Sequence, residues 1–418
     1  MVSHPAESRS YGEHDKSAWQ LAILSIVAAI LPVLVFAREA SPLLCVLLLA
    51  TLVGAANARG STEEAWVTLR RWMARPEAYV LIAALALLSV SALWSPATER
   101  GAEHAFRIVM AALLIAALLA FGSAARMEGL DRALSFGLAA GALLLLANLQ
   151  FDGAMRTWMG FSPDVWRMNR AAVAIVLFLP LAVLLIWRLS PARVLAFIGI
   201  CLAAVFLSQS ESAQLAAIVT VAVWAVAALK PIVVHRLVGA TMVAAVLAMP
   251  FVVPFANDLV PAAVHEKVGY GTLTIRGEIW AAFADLVPEK LLFGHGMEAS
   301  SIIWKTPMAA SLPQSVRDLL AFAHPHNAPL QVWFELGLVG AIFVAVLIVF
   351  ALRAMERLPS ERLSAATATT AAVFTVSTVS HGAWQSWWFC LVGLVAATYA
   401  MLPTRLEDHK KPRPTNAP

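Results

Sequence analysis

Apolar runs of about twenty residues recur along almost the whole chain, and they constrain its fold more than any other feature. A helix rises about 1.5 Å per residue, so such a run crosses the hydrocarbon core of a bilayer. Inside lipid every backbone polar group must find a partner within the protein, which leaves helices or a closed barrel. Barrel strands alternate polar and apolar residues over about ten positions. These runs do not alternate, so an all-α polytopic membrane protein is expected. Composition agrees: of 418 residues, 60% are hydrophobic and 13% charged, against about 45–50% and about 25% in soluble domains.

About twelve spans are expected, at 17–37, 42–56, 78–94, 105–122, 131–149, 169–187, 194–207, 212–229, 231–256, 328–352, 363–379 and 386–402. The chain then divides into a cytoplasmic tail (1–16), nine spans (17–256), a long loop (257–327), three spans (328–402) and a second cytoplasmic tail (403–418). The polar start precedes a run too long for a signal-peptide core, so an uncleaved anchor is expected. Cys45, Cys201 and Cys390 all fall inside spans, and an odd set of thiols suggests no disulfide framework. The net charge of +4 comes from basic residues between spans, which fits membrane topology and not nucleic-acid binding.

Those basic residues also give the orientation. With the N-terminus in the cytoplasm, nineteen Lys and Arg fall on the inside and six on the short outer loops. The long loop is left out of the count, because long segments translocate regardless of charge. Both ends are then cytoplasmic and the long loop faces away. A connection of that length is usually functional. It carries its own helical signals, at 274–287 and at 312–323. No internal repeat is visible, and Gly137 with Gly141 forms a Gly-x-x-x-Gly expected to pack helices.

Phosphate-loop, dinucleotide, His-Glu-x-x-His and Cys-x-x-Cys signatures are absent. The densest polar signal is His324-Pro325-His326-Asn327, at the mouth of a span that continues through Gln331 and Glu335. Imidazole is the side chain best suited to move a proton near neutral pH. Asn327, Gln331 and Glu335 recur every four residues and share one helical face. Glu335 would lie about 10 Å below the helix start, where a carboxylate is costly and usually functional. A helix cap at Asn327 and a structural interhelical bond at Glu335 are the alternatives. A second signal is Arg276 with Trp280, one helical turn apart, followed by Gly294-His295-Gly296. Arginine pairs with two phosphate oxygens at once; pairing of Arg276 with Glu278 or with lipid headgroups is the alternative. His295 reads as a tight turn. A third is Arg170, which would either reach a phosphate or extend to the headgroups. Ser208 to Gln214 is a polar turn in which Ser210 or Ser212 would cap a helix. Trp384, Trp387 and Trp388, near His381, fit an interfacial belt.

Together, Arg276-x-x-x-Trp280, Gly294-x-Gly296 and His324-x-His326-Asn327, followed by an aromatic, Glu335, Leu336, Gly337 and Gly340, resemble the O-antigen ligase and polymerase superfamily. The resemblance implies a GT-C-like architecture and a glycosyltransferase of the bacterial inner membrane whose active face is periplasmic. The donor would be a glycan on undecaprenyl diphosphate. The acceptor would be lipid A–core, in lipopolysaccharide biosynthesis, or another repeat unit in a polysaccharide polymerase. No metal or cofactor is implied. His326 would be the base, His324 would share or orient that role, and Arg276 would stabilise the departing diphosphate. Arg170, Asn327, Gln331, Glu335 and Trp280 would bind substrate. One position departs from the pattern: many relatives carry Arg where this chain has Glu211, so either Arg170, Arg100 or Arg167 takes over that cation's task or the chain belongs to a branch with different donor contacts. A membrane transporter is the competing class. Transporters, however, gather ionisable residues at the midplane of two related halves, and here they gather at one outer loop.

Overall fold

The structure, a computed structural model, describes residues 5–255, 258 and 273–403. The start of the long loop (257 and 259–272) and most of the C-terminal tail, with Arg405, Lys410, Lys411 and Arg413, lie outside the described residues.

The described residues form helices α1 (Pro5–Phe36), α2 (Ser41–Arg59), α3 (Thr62–Met73), α4 (Pro76–Ser91), α5 (Thr98–Ala125) and α6 (Leu130–Gln150). The short α7 (Ala154–Trp158) precedes α8 (Asn169–Ile186), α9 (Pro191–Phe206), α10 (Glu211–Ala227) and α11 (Pro231–Val252). Three helices belong to the long connection: α12 (Leu273–Ala284), α13 (Pro307–Ala310) and α14 (Gln314–Leu320). The chain ends with α15 (Ala328–Met355), α16 (Ser360–Val379) and α17 (Ser386–Ala400). Among the described residues, all twelve apolar runs fall on helices. Among the described residues, eight helices are long and apolar enough to cross a membrane, and α9, α10 and α17 are shorter apolar helices. This is an all-α polytopic membrane protein. Proline at the first turn starts α2, α4, α9, α11 and α15, where its missing N–H costs nothing.

The bundle is arranged around α8. Of its most apolar stretch, 83% is buried, against 22–39% for the other seven long spans, so α8 is the central post. Helices α1, α6, α9, α10, α16 and α17 pack around it. Gly137 and Gly141 let α6 approach α1 closely: a Cβ on either would fall well inside 3 Å of Ala28 or Leu31. This is the packing role expected of that pair. A second core, around Phe283, Phe334, Trp333 and Val246, joins α11, α12 and α15.

The span α15 is broken. Gly337 sits at φ 65°, ψ −161°, which interrupts the helical ladder about two and a half turns after its start. Segment 291–296 fills the gap. The His295 and Gly296 N–H groups donate to the Phe334 and Glu335 carbonyls, each at 2.9 Å. Leu338 and Val339 N–H donate to the Leu291 and Leu292 carbonyls at 2.8 and 3.2 Å. Orphan backbone groups at this depth would cost several kcal/mol each, so the loop segment is part of the span's own bonding. His295 is a structural member of it: its ring stacks on Phe334 at 4.6 Å, and its Nε2 faces the Leu286 carbonyl at 3.1 Å. Gly294 and Gly337 both have positive φ, and a Cβ on either would overlap the opposite backbone. Gly294→Ala is therefore expected to destabilise the protein by roughly 2–4 kcal/mol, as strain plus overpacking. Thermal unfolding in detergent reads this, and an unchanged midpoint would contradict the pairing.

Candidate active site

The break holds loop and helix together just beneath the His-Pro-His turn. Asn327 caps α15, its Oδ1 accepting from Leu330 N–H at 3.0 Å. The turn itself is strained, with positive φ at Ala323 (69°) and His326 (52°). Such backbone costs about 1–3 kcal/mol per residue and persists only where the surroundings impose it. Here the Trp280 indole N–H, from α12, donates to the Pro325 carbonyl at 2.8 Å.

The two imidazoles are in different tautomers. His326 Nδ1 lies 3.1 Å from the Ser380 carbonyl, which can only accept, so Nδ1 carries the hydrogen and Nε2 the lone pair. His324 Nδ1 accepts from the His326 backbone N–H at 3.2 Å, so its hydrogen is on Nε2. Their rings are 4.1 Å apart. Burial drives the His324 pKa down to about 3, with His326 and Arg100 adding to the effect. His326 is lowered too, first by burial and then by Arg276, against the pull of the Ser380 carbonyl. Both rings are thus neutral near pH 7, and His326 presents an unprotonated nitrogen.

Arg276, half-buried on α12, is near enough for its charge to act on both His326 and His381. Its own partner is Glu211 at the start of α10, at 3.6 Å. The ion pair is made with Glu211 and not with the alternative partner Glu278. Ser210 supplies the cap of α10 by accepting from Ala213 N–H at 3.4 Å.

Glu335 and Gln331 lie under the turn. Glu335 is completely buried and accepts from five donors: Glu298 N–H (2.7 Å), Ser300 N–H (3.3 Å), Ser300 Oγ (2.5 Å), Gln331 Nε2 (2.9 Å) and Trp384 Nε1 (2.6 Å). Gln331 Oε1 in turn accepts from Ala383 N–H at 2.8 Å. The carboxylate thereby ties α15 to loop 298–300 and to the α16–α17 connection. That is the structural alternative raised for Glu335, with the substrate-facing surface left to Gln331 above it.

A cavity of about 370 Å³ opens beside His324 and Gln331, lined also by Arg100, Arg107, Arg170 and Trp387. The Arg170 guanidinium lies 4.0 Å above the Trp387 ring. It points into the protein and not outward to headgroups. Arg100 also lines the cavity, bonded to Glu298 at 2.7 Å. Arg167 turns aside to Asp164 at 2.9 Å and lies over Trp166. Trp384, Trp387 and Trp388 are each only 6–7% exposed, so they wall the site and do not form a lipid-facing belt. His381, which the sequence placed with that belt, is packed between Trp387 and Trp388. Burial and the charges of Arg170 and the neighbouring histidines lower its pKa to about 3. It is a third imidazole of the site. Its only sequence signal was a histidine next to a glycine at a turn.

The fold and site define a polytopic helical membrane protein whose polar groups converge on a histidine turn at one end of the bundle. A family model described as O-antigen ligase matches residues 195–345, from α9 through the histidine turn into α15. A protein of Rickettsia conorii named as a candidate polysaccharide ligase is 26% identical over 164 residues, which is 38% of this chain and 39% of that protein. Over this stretch the chain is similar to the O-antigen ligase family, the one its motifs resemble. The alignment with the Rickettsia protein spans well under half of either chain.

Proposed function

We propose that this protein transfers a glycan from undecaprenyl diphosphate to an acceptor hydroxyl at the periplasmic face of the inner membrane, with lipid A–core as the acceptor. The observation that carries this reading is His326: a half-buried, neutral imidazole whose Nδ1 is anchored, leaving Nε2 as a base, within electrostatic reach of Arg276. His326 Nε2 takes the proton of the acceptor hydroxyl. The oxygen attacks the anomeric carbon, and the bond from that carbon to the diphosphate oxygen breaks. The electron pair leaves with the diphosphate, where Arg276 offsets the growing charge. His324, with hydrogen on Nε2, is a donor beside the acceptor path. The excess of Lys and Arg at the opposite ends of the helices supports the periplasmic placement.

The broken span α15 is a feature also found in transporters, where unwound backbone coordinates ions. Here the Phe334 and Glu335 carbonyls and the Leu338 and Val339 N–H groups are bonded to segment 291–296.

The test is a deletion strain analysed by gel electrophoresis of surface glycans. Ligation predicts that polymer persists but is lost from lipid A–core, and that the intact gene restores it. Single repeats left on core would indicate an O-antigen polymerase. Unchanged lipopolysaccharide with loss of a secreted polymer would indicate an exopolysaccharide polymerase.

A further inference from the structure

A transferase needs room for two substrates, and arginines flank the histidine turn on two sides. Arg276, on α12, pairs with Glu211 of α10 at 3.6 Å, whereas Arg100, Arg107 and Arg170 line the cavity beside His324. Arg276 does not line the cavity beside His324. That cavity holds three guanidinium groups of unequal satisfaction. Arg100 is bonded to Glu298 at 2.7 Å. Arg107 pairs with Glu103, one turn away on α5. Arg170 has the weakest pairing of the three. Its partner is Glu39 at 3.3 Å, a carboxylate that also lines the cavity, is 64% exposed and is shared with Arg38, and the buried Nη1 makes no well-directed hydrogen bond. An anionic ligand can displace so exposed a partner and complete that donor. Gln385 and Ser386 also line the cavity, beside Gln331, and offer partners for sugar hydroxyls.

We propose that this cavity is the acceptor site, and that it takes an acidic sugar whose phosphate or carboxylate is bound by Arg170 and Arg107. The assignment rests on the transferase reading given above. It adds a chemical requirement to it: a neutral acceptor glycan leaves Arg170 with only its exposed partner Glu39. It also separates the substrates, with the donor diphosphate at Arg276 and the acceptor anion on the His324 side.

The test is binding, read without donor so that no transfer occurs. The full-length protein in nanodiscs is titrated with lipid A–core oligosaccharide, intact, dephosphorylated or carboxyl-reduced, and followed by tryptophan fluorescence, since Trp384 and Trp387 line the cavity. Arg170→Gln is expected to weaken binding of the intact glycan by at least about tenfold, the size of one charge-assisted hydrogen bond. Arg107→Gln, on a half-exposed side chain and therefore safe for folding, is expected to weaken it about threefold. Loss of wild-type affinity on dephosphorylation assigns a phosphate; loss on carboxyl reduction assigns a carboxylate. Equal binding of all three glycans, or unchanged binding by both variants, overturns the assignment. A transfer assay on the same samples separates the two claims. If Arg170→Gln raises the donor KM and leaves the acceptor KM unchanged, the cavity is the donor's. Binding that follows the charge pattern with no transfer by the wild type defeats the transferase reading alone.

Discussion

Replacing His326 with asparagine is expected to reduce glycan transfer by about 10²–10⁴-fold, the usual contribution of a positioned base, while the protein still inserts and accumulates. Asparagine is the informative choice. Its side-chain amide can donate to the Ser380 carbonyl as Nδ1 does, and it tolerates the positive φ of 52° at this position. The anchor and backbone are kept, and only the lone pair at Nε2 is lost. Alanine would remove the anchor as well and confuse catalysis with folding. If His326→Asn retained more than about a tenth of the wild-type rate, the base would have to be another group. His324 and His381 are the two imidazoles near enough to be tested next.

The same assignment fixes the pH dependence. The active form of a base is unprotonated, and burial lowers the His326 pKa from its ordinary value. Activity should therefore hold as the pH falls through about 6.5, the free imidazole value, and decline only below it. His324 bears on stability with the same sign. Its folded pKa of about 3 lies below the unfolded value, so the unfolded chain binds the proton first. The contribution of the neutral ring is complete above about 6.5 and is lost progressively as the pH drops toward 3. An acid limb centred above pH 7 in the rate profile would contradict a half-buried neutral base.

Much of this was legible in the sequence because lipid imposes a simple rule. Uninterrupted apolar runs must be helices, and the helical positions of all twelve followed from that alone. The histidine turn, Arg276 and Trp280 were legible because polar groups at the mouth of a span stand out against an apolar background. Three things were not legible. The break at Gly337 lies within Leu336-Gly337-Leu338, which is as apolar as the rest of α15 and contains no proline. Only the pairing with segment 291–296, more than forty positions away, makes that glycine a hinge. Glu335 signalled function by its depth, but periodicity could not show that five donors from three separate segments would enclose it. His381 and the tryptophans read as an interfacial belt because that is where such residues collect in single spans. Their burial depends on α8 and Arg170 packing beside them, which is a tertiary fact.

Removing Arg276 is the second large effect expected. Arg276→Ala should lower kcat/KM for the donor by about 10²–10³-fold, the range for losing one preorganised group at a developing negative charge. Arg276→Lys should recover part of this, because the ammonium keeps the charge but not the planar fork that bonds two oxygens. Glu211 gives a sharper test. At 3.6 Å from Arg276, with 41% of its side chain exposed, it forms a weak pair that a diphosphate can displace. On the mechanism proposed here, Glu211 restrains Arg276 when the donor is absent and competes with the diphosphate for that guanidinium when it arrives. Glu211→Gln should then lower the donor KM by a few-fold, about 1 kcal/mol or less for an exposed pair. The two substitutions should not be additive: with Arg276 already alanine, Glu211→Gln loses most of its effect, because the charge it competed for has gone. Additive effects would mean that Glu211 meets the diphosphate directly and that Arg276 does not mediate between them. Wild-type transfer by Arg276→Ala would move the leaving-group role to the arginines on the His324 side, and the donor with it.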